Sequence, residues 1–231
     1  MKTKLLLLFI FTCMFTFGQD SLNLDLKLKS TLITFNPAKI VKNTTGINLG
    51  IMDDYEHQTI NGINLQANPI FLLYPLIPKA IPAPTEANAT VVVNGIHFST
   101  GGMTDGKQLN GLGISMYHHS METNGISVNF YNNTSTKLNG VYVSGFANNS
   151  AKGRGINISV LANNSEDFKG LLIGAFNSAT KMKGLQIGIS NQTENMKGIQ
   201  VGIVNKNKNG RNFQIGLWNK NAKRTLPILN F

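Results

Sequence analysis

The chain has 231 residues, a formal net charge of +10 and a single cysteine. That cysteine, Cys13, lies in an apolar N-terminal run, so the rest of the chain has no disulfide, no cysteine nucleophile and no thiolate metal site. A basic chain attracts anionic partners. The lysines are scattered singly, however, which favours a solvated, aggregation-resistant surface, and no nucleic-acid binding is expected.

The N-terminus has the three parts of a secretory signal. Lys2 and Lys4 precede an unbroken apolar run from Leu5 to Phe17, and Gly18 is followed by polar residues. The apolar run is too short to span a bilayer. We therefore predict that residues 1–18 are a signal peptide and that the protein is exported to the periplasm, the outer membrane or the cell surface.

The region 19–43 differs from the rest of the chain. From Leu22 to Leu28, leucine alternates with polar or charged residues, which is the period of a strand. Arrays of repeats need their open ends covered. We therefore predict that 19–43 is an N-terminal capping strand region that pairs with the first repeat.

The region 44–231 is a tandem repeat. A unit begins with glycine, an aliphatic residue, a small or polar residue, a second aliphatic residue and then Gly or Ser, as in the segment Gly184–Gly188. From Leu112 to Phe213 the spacing between units is 14 or 15 residues, and weaker copies begin at Gly46, Gly62 and Gly95. Alternation with period two predicts strands, so the fold class is all-β. Asparagine closes most units, at Asn132, Asn148, Asn163, Asn177, Asn191, Asn205 and Asn219.

Two all-β architectures satisfy this repeat. In a parallel β-solenoid each unit is one coil, with the aliphatic residues stacked inside and the asparagines in a ladder. In an antiparallel meander or β-barrel, a pair of strands would be the natural unit of duplication. Because every unit resembles every other, we favour the parallel β-solenoid and keep the antiparallel meander or β-barrel as the alternative. A coil this short closes only if the inner Gly or Ser is a corner.

One large insertion, 69–88, interrupts the repeats. It is apolar and rich in proline, and the favoured interpretation is that it folds back over the repeat stack and covers core. Such a loop could instead dock on a membrane or a partner, or clamp a hydrophobic ligand. The insertion is the first choice of functional surface in the sequence. Its candidate interaction residues are Phe71, Leu72, Leu73, Tyr74, Leu76 and Ile77.

The C-terminal segment 225–231 departs from the repeat. Pro227 suits an edge or capping strand, because proline has no N–H to donate to a sheet. We therefore predict that this segment ends the array.

The sequence contains no catalytic, cofactor-binding or metal-binding motif. The spacing of the histidines matches no zinc motif, and the pair His118 and His119 is predicted to lie in a turn. The segment Asp53–His57 is predicted to be a polar turn between units, and the glycines recur at the repeat spacing without a phosphate-loop lysine. We therefore predict a protein that is not an enzyme and that uses no cofactor.

The last units resemble a known group of sequences. The segment Phe213–Asn221 and the following Lys223–Pro227 resemble uncharacterised exported surface-repeat proteins of Gram-negative bacteria, in which Gly-Leu-Gln-Ile-Gly-Leu-Ile-Asn-like units recur. The resemblance implies a location in the cell envelope or on the surface, and it brings no assigned activity.

The resulting hypothesis is a non-enzymatic envelope or surface repeat protein that acts as a binding or structural module. Its ligand is unknown, and the outer membrane or another envelope component is its expected partner. The alternative is an outer-membrane β-barrel that serves as a pore or small transporter.

Overall fold

The computed structural model describes residues 29–36, 41–51, 57–76, 82–84, 89–102, 106–210 and 212–231. The predicted signal peptide and the alternating segment Leu22–Leu28 lie outside these residues. The strands are β1 (Lys29–Asn36), β2 (Val41–Ile51), β3 (Gln58–Ala67), β4 (Val91–Ser99), β5 (Lys107–Ser115), β6 (His118–Asn129), β7 (Asn132–Ser144), β8 (Ala147–Ser159), β9 (Ala162–Ile173), β10 (Phe176–Asn207), β11 (Phe213–Lys220) and β12 (Thr225–Asn230). A 3-10 helix, Pro69–Leu76, follows β3. No helix in the described ranges is long and apolar enough to cross a membrane.

The twelve strands form one sheet in chain order, wound as a β-solenoid of about eleven coils. Neighbouring strands from β1 to β11 run parallel, and equivalent glycines stand beside one another, as Gly155 does beside Gly170. Only β12 runs antiparallel, alongside β11. These strand directions confirm the predicted parallel β-solenoid and exclude its antiparallel alternative. They also place the C-terminal segment at the end of the sheet, as predicted.

The leading glycine of each unit is a corner. From Gly46 to Gly198 the φ angle of this glycine lies between 126° and 144°, which side-chain-bearing residues rarely adopt. A Cβ atom on Gly170 would also lie 1.9 Å from the carbonyl oxygen of Gly155 in the preceding coil. The sequence placed the corner at the inner Gly or Ser instead. The chain does bend there as well in some coils, at Gly174 and Ala175 for example, whereas the equivalent Gly188 and Gly202 lie within strand β10.

The repeat is inverted relative to the prediction that the aliphatic residues stack inside. Ile187 and Ile199 face outward and are 38% and 41% exposed, whereas Gln186 and Gln200, which occupy the position between two aliphatic residues, are fully buried. Stacking in register sets neighbouring copies about 4.8 Å apart, a distance at which one amide can bond the next. Gln214 donates to Gln200 and Gln200 donates to Gln186, each over 2.8 Å. The interior therefore holds polar side chains whose partners are copies of themselves.

The predicted asparagine ladder is confirmed from Asn148 to Asn219 and forms a second interior column, whereas the predicted member Asn132 lies outside it, in register with Ala147. From Asn148 to Asn219 each Nδ2 donates to the Oδ1 of the next asparagine over 2.8 to 3.0 Å. The same amide groups also reach backbone carbonyls, as Asn177 does with Ile187. Apolar side chains fill the remaining interior in two separate clusters. These are Ile60, Val91, Val93 and Leu109, and Phe168, Leu172, Ala179, Met182 and Met196.

Candidate functional site

The outward aliphatic residues form one continuous surface, here called the apolar face. It consists of the first, third and fifth residues after each leading glycine or its equivalent, Asn212. Its length is set by about eleven coils that stack about 4.8 Å apart, and its width by four residue steps of about 3.3 Å each. The area of the face is therefore roughly 650 Å². The largest apolar patch on a soluble monomer is typically about 300–600 Å² and is often functional. Its exposed members are Ile47, Ile51, Leu65, Phe98, Ile114, Ile126, Val128, Phe130, Ile158, Val160, Ile187, Ile189, Ile199, Ile203, Phe213, Ile215 and Leu217.

A groove of about 1040 Å³ runs along the apolar face over the N-terminal coils. Its walls are mostly apolar and include Phe35, Leu65, Phe98, Ile114 and Phe130. Each of these side chains comes from a different coil, so the groove exists only when the coils are stacked. A concave apolar surface of this size suits an extended hydrophobic partner.

The insertion begins at the wall of this groove. Thr100, a groove residue, accepts a hydrogen bond from the Asn68 backbone N–H over 2.6 Å and donates to the Asn68 carbonyl over 2.9 Å. Phe71 is buried and stacks on Tyr117, with ring centroids 5.9 Å apart. The insertion also returns to the coils at Pro84, whose carbonyl accepts a hydrogen bond from Thr136.

The structure describes the side chains of four of the six candidate interaction residues of the insertion, and these four differ in exposure. Phe71 packs on the coils, as expected of a segment that folds back over the stack. Leu72, Leu73 and Leu76 are 53%, 59% and 77% exposed. The side chain of Tyr74, and Ile77 as a whole, lie outside the described part of the chain.

The residue directly before the leading glycine is asparagine in most N-terminal coils and arginine or lysine in the C-terminal coils. In the N-terminal coils this position carries the outer asparagine row, in which each side chain donates to the preceding one over 2.8 or 2.9 Å. In the C-terminal coils it carries four exposed cations, here called the basic row. Arg154 stands in register with Lys169, and Lys169 with Lys183. The outer asparagine row is Asn61, Asn94, Asn110, Asn124 and Asn139, and the basic row is Arg154, Lys169, Lys183 and Lys197.

The cations of the basic row form no ion pair with the part of the chain that the structure describes. By contrast, Lys208, on a different face, lies 3.3 Å from a Glu194 carboxylate oxygen. Like charges about 4.8 Å apart repel one another, even in water. An external anion would remove that repulsion.

A third surface is polar. It contains a hollow of about 420 Å³ lined by side chains such as Asn149, Asn164, Ser178 and Gln192. Asn164 donates to Asn149 over 3.0 Å, which repeats the amide stacking of the interior on the outside. Among the described residues, this polar face carries no column of exposed aliphatic side chains.

His118 and His119 lie in a strand and not in the predicted turn. Both belong to β6 and are buried. Burial, reinforced by the positive charge of Lys107 and by the neighbouring His97 and His119, lowers the pKa of His118 well below its usual value of 6.5. The His118 Nε2 atom lies 3.0 Å from the Thr123 hydroxyl. His118 is therefore a neutral, hydrogen-bonded part of the interior.

The described residues contain no cluster of three or more His, Cys, Asp or Glu side chains able to hold a metal ion. The segment Asp53–Glu56 lies outside them, so the predicted polar turn there stays a prediction.

The apolar face was missed at the sequence level, although the sequence contains a pattern that points to it. Gln186, Gln200 and Gln214 recur at one position at a strict 14-residue spacing. Identical amides at stacked positions are typical of an interior amide ladder, which turns the neighbouring aliphatic residues outward.

Comparisons of the chain with protein-family models, with curated proteins and with solved structures found no match. The resemblance to surface-repeat proteins therefore stays a prediction.

Proposed function

We propose that this is a non-enzymatic repeat protein of the cell envelope or cell surface that acts as a binding module through its apolar face. The observation that carries the proposal is the apolar face itself. Burying such a surface against a partner is favourable at roughly 25 cal/mol per Å² of apolar area. An area of roughly 650 Å² is close to what one partner contributes to a standard protein interface, about 800 Å².

The scaffold supports this role because it holds the face rigid. In the coils that begin at Gly184 and Gly198, the outward aliphatic residues lie between a glycine corner on one side and interior amide ladders on the other. A surface that is fixed before binding loses little conformational entropy on association. The predicted signal peptide supports an envelope location, because exported chains with this N-terminal pattern leave the cytoplasm.

Cell fractionation of the full-length protein tests the proposal. We expect the wild-type protein in the envelope fraction. The variant Ile189→Gln/Ile203→Gln/Leu217→Gln should move to the soluble fraction, because it makes the outermost aliphatic column polar. All three positions are exposed, so the variant should keep the wild-type melting temperature.

A matched variant on the polar face provides the control. Ser178→Ala/Thr180→Ala/Gln192→Ala also changes three exposed side chains and should stay in the envelope fraction. The proposal is wrong if the wild-type protein remains in the cytoplasm. It is equally wrong if both triple variants distribute as the wild type does.

A further inference from the structure

We infer that the partner of the apolar face is a lipid surface with anionic headgroups, bound by the aliphatic columns and the basic row together. The inference rests on the proposed function, because it names the chemistry of the partner of the same face. It is carried by the position of the basic row, which borders the face along its C-terminal coils.

The basic row and the first aliphatic column lie on the two sides of one corner. Lys183 precedes Gly184, and Leu185 follows it; both side chains point out of the coil, whereas the flanking Met182 and Gln186 are buried. The same arrangement recurs at Gly155, Gly170 and Gly198, because these glycines are stacked. Cationic groups therefore line one edge of the aliphatic surface.

This is the chemistry of a protein surface that lies in the headgroup region of a bilayer. Such surfaces insert aliphatic and aromatic side chains into the acyl boundary while lysine and arginine bind anionic headgroups. Lysine and arginine suit the edge because their stems are apolar and their charged ends extend into the polar layer.

The opposite edge of the face carries aromatic and large aliphatic side chains. Phe146, Phe176 and Trp218 lie six residues after a leading position and are 47%, 55% and 58% exposed. Aromatic rings concentrate at the boundary between the headgroups and the acyl chains. Both edges therefore suit the headgroup region that surrounds a shallowly inserted face.

A second copy of the chain fits this surface less well. Pairing of two copies through the same face would present each basic row only with aliphatic or aromatic side chains or with another basic row, and with no carboxylate. The repulsion within the row would remain. Anionic headgroups supply the opposite charge that none of the described residues provides to these four cations.

Vesicle flotation with the purified protein tests the inference. We expect the protein to float with vesicles of phosphatidylcholine and phosphatidylglycerol, to float poorly with phosphatidylcholine alone, and to lose the difference at high salt. Each basic side chain near an anionic surface strengthens binding by roughly fivefold. Lys169→Gln/Lys183→Gln/Lys197→Gln should therefore weaken binding to the anionic vesicles on the order of 100-fold.

The control variant removes the same number of positive charges from another part of the molecule. Lys206→Gln/Lys208→Gln/Lys220→Gln removes three exposed lysines that lie outside the basic row, and its binding should stay within a few-fold of the wild type. Equal binding to both kinds of vesicle would overturn the inference, as would equal losses in the two lysine variants. A wild-type dimer that dissociates on Ile189→Gln/Ile203→Gln/Leu217→Gln substitution and ignores vesicles would assign the face to a second copy.

The vesicle experiment and the fractionation experiment can fail independently of each other. If the apolar-face variant leaves the envelope fraction but the vesicles show no anionic preference, the binding role stands and the lipid assignment falls. If the wild-type protein never reaches the envelope, the proposed function falls, whatever the vesicles show. Unchanged melting temperatures of both lysine variants would establish that lost binding is not lost folding.

Discussion

The N-terminal and C-terminal coils share one backbone but differ in the side chains at equivalent positions. At the position before the leading glycine, Asn124 and Asn139 belong to a hydrogen-bonded row, whereas Lys169 and Lys183 stand in register as like charges. The glycine ladder continues through both halves without a change in φ beyond a few tens of degrees. The coil is therefore set by its glycines and interior columns, and this outer position is free to carry other chemistry.

The interior columns differ between the halves as well. In the C-terminal coils the closing asparagines form hydrogen bonds with one another. In the N-terminal coils the same interior column holds His118, which stands beside Asn133. Neither side-chain polar atom of Asn133 has a hydrogen-bond partner among the described residues. The regular ladder thus belongs to the C-terminal coils, and the N-terminal coils are the less uniform part of the same solenoid.

The largest expected effect concerns what the two halves share. A Cβ atom at Gly125 or Gly184 would lie 2.1 or 2.0 Å from the carbonyl oxygen of the preceding glycine. Gly125→Ala and Gly184→Ala should each lower the unfolding free energy by about 4 kcal/mol or more. Gly210 also has a positive φ, but its nearest neighbour atom lies 3.8 Å away, so Gly210→Ala should cost only about 1–2 kcal/mol. Urea unfolding would measure all three, and similar losses at Gly184 and Gly210 would contradict the close-approach argument.

The next effect should separate the two halves within one column. Asn177 is buried, donates to Asn191 and to the Ile187 carbonyl, and accepts from Asn163. Asn177→Ala leaves buried partners unbonded and should cost roughly 3 kcal/mol, whereas Asn133→Ala should cost less than about 1 kcal/mol. The same urea experiment compares them. Equal losses would show that the ladder contributes no more in the C-terminal coils than elsewhere.

A smaller effect depends on pH and is confined to the N-terminal coils. The pKa of His118 lies well below 6.5 in the folded chain, so the folded histidine stays neutral while the unfolded one takes up a proton below about pH 6.5. Its contribution to the unfolding free energy is complete above that pH. It is lost as the pH falls, by about 1.4 kcal/mol per pH unit at most.

The variant His118→Asn, which continues the interior asparagine column, removes this part of the pH dependence. Urea unfolding at about pH 7.5 and about pH 5.5 should therefore show a smaller loss of stability for the variant, by about 1.4 kcal/mol. Superimposable pH profiles of the two proteins would refute this role for His118.

The smallest effect comes from giving the C-terminal coils the chemistry of the N-terminal ones. Arg154→Asn/Lys169→Asn extends the outer asparagine row by two coils and leaves only two cations in the basic row. At low salt the double variant should gain up to about 0.5 kcal/mol, and the gain should shrink at high salt, because exposed charges are screened there. Melting temperatures at the two salt concentrations measure it. A substantial loss of stability would mean that the cations have structural partners.

Much of the fold could be predicted from local pattern. The 14- to 15-residue period, the alternation within Gly184–Gly188 and the recurring asparagines predict an all-β solenoid with an amide ladder. The direction of the aliphatic residues could not be predicted in this way, because alternation fixes which residues share a face but not which face is inside. The prediction that His118 and His119 lie in a turn was wrong for a related reason. Adjacent polar residues suggest a turn unless the interior of the fold is itself made of polar side chains.

The candidate site shows the same division. The insertion was visible in the sequence as an apolar, proline-rich segment, yet Phe71 faces the coils while Leu72 and Leu73 face outward. The basic row was present in the sequence as single lysines at repeat spacing. They become one row only because the coils stack in register and bring residues 14 or 15 positions apart side by side.

The sequence by itself determined the period, the strands and the asparagine ladder, because each depends on residues within one unit or on their exact recurrence. The tertiary structure decided which side of each strand is interior, and with it the existence of the apolar face, its groove and its basic edge. That choice depends on closing a short coil whose stacked amides find their partners in the coils before and after, a condition that no single unit can express.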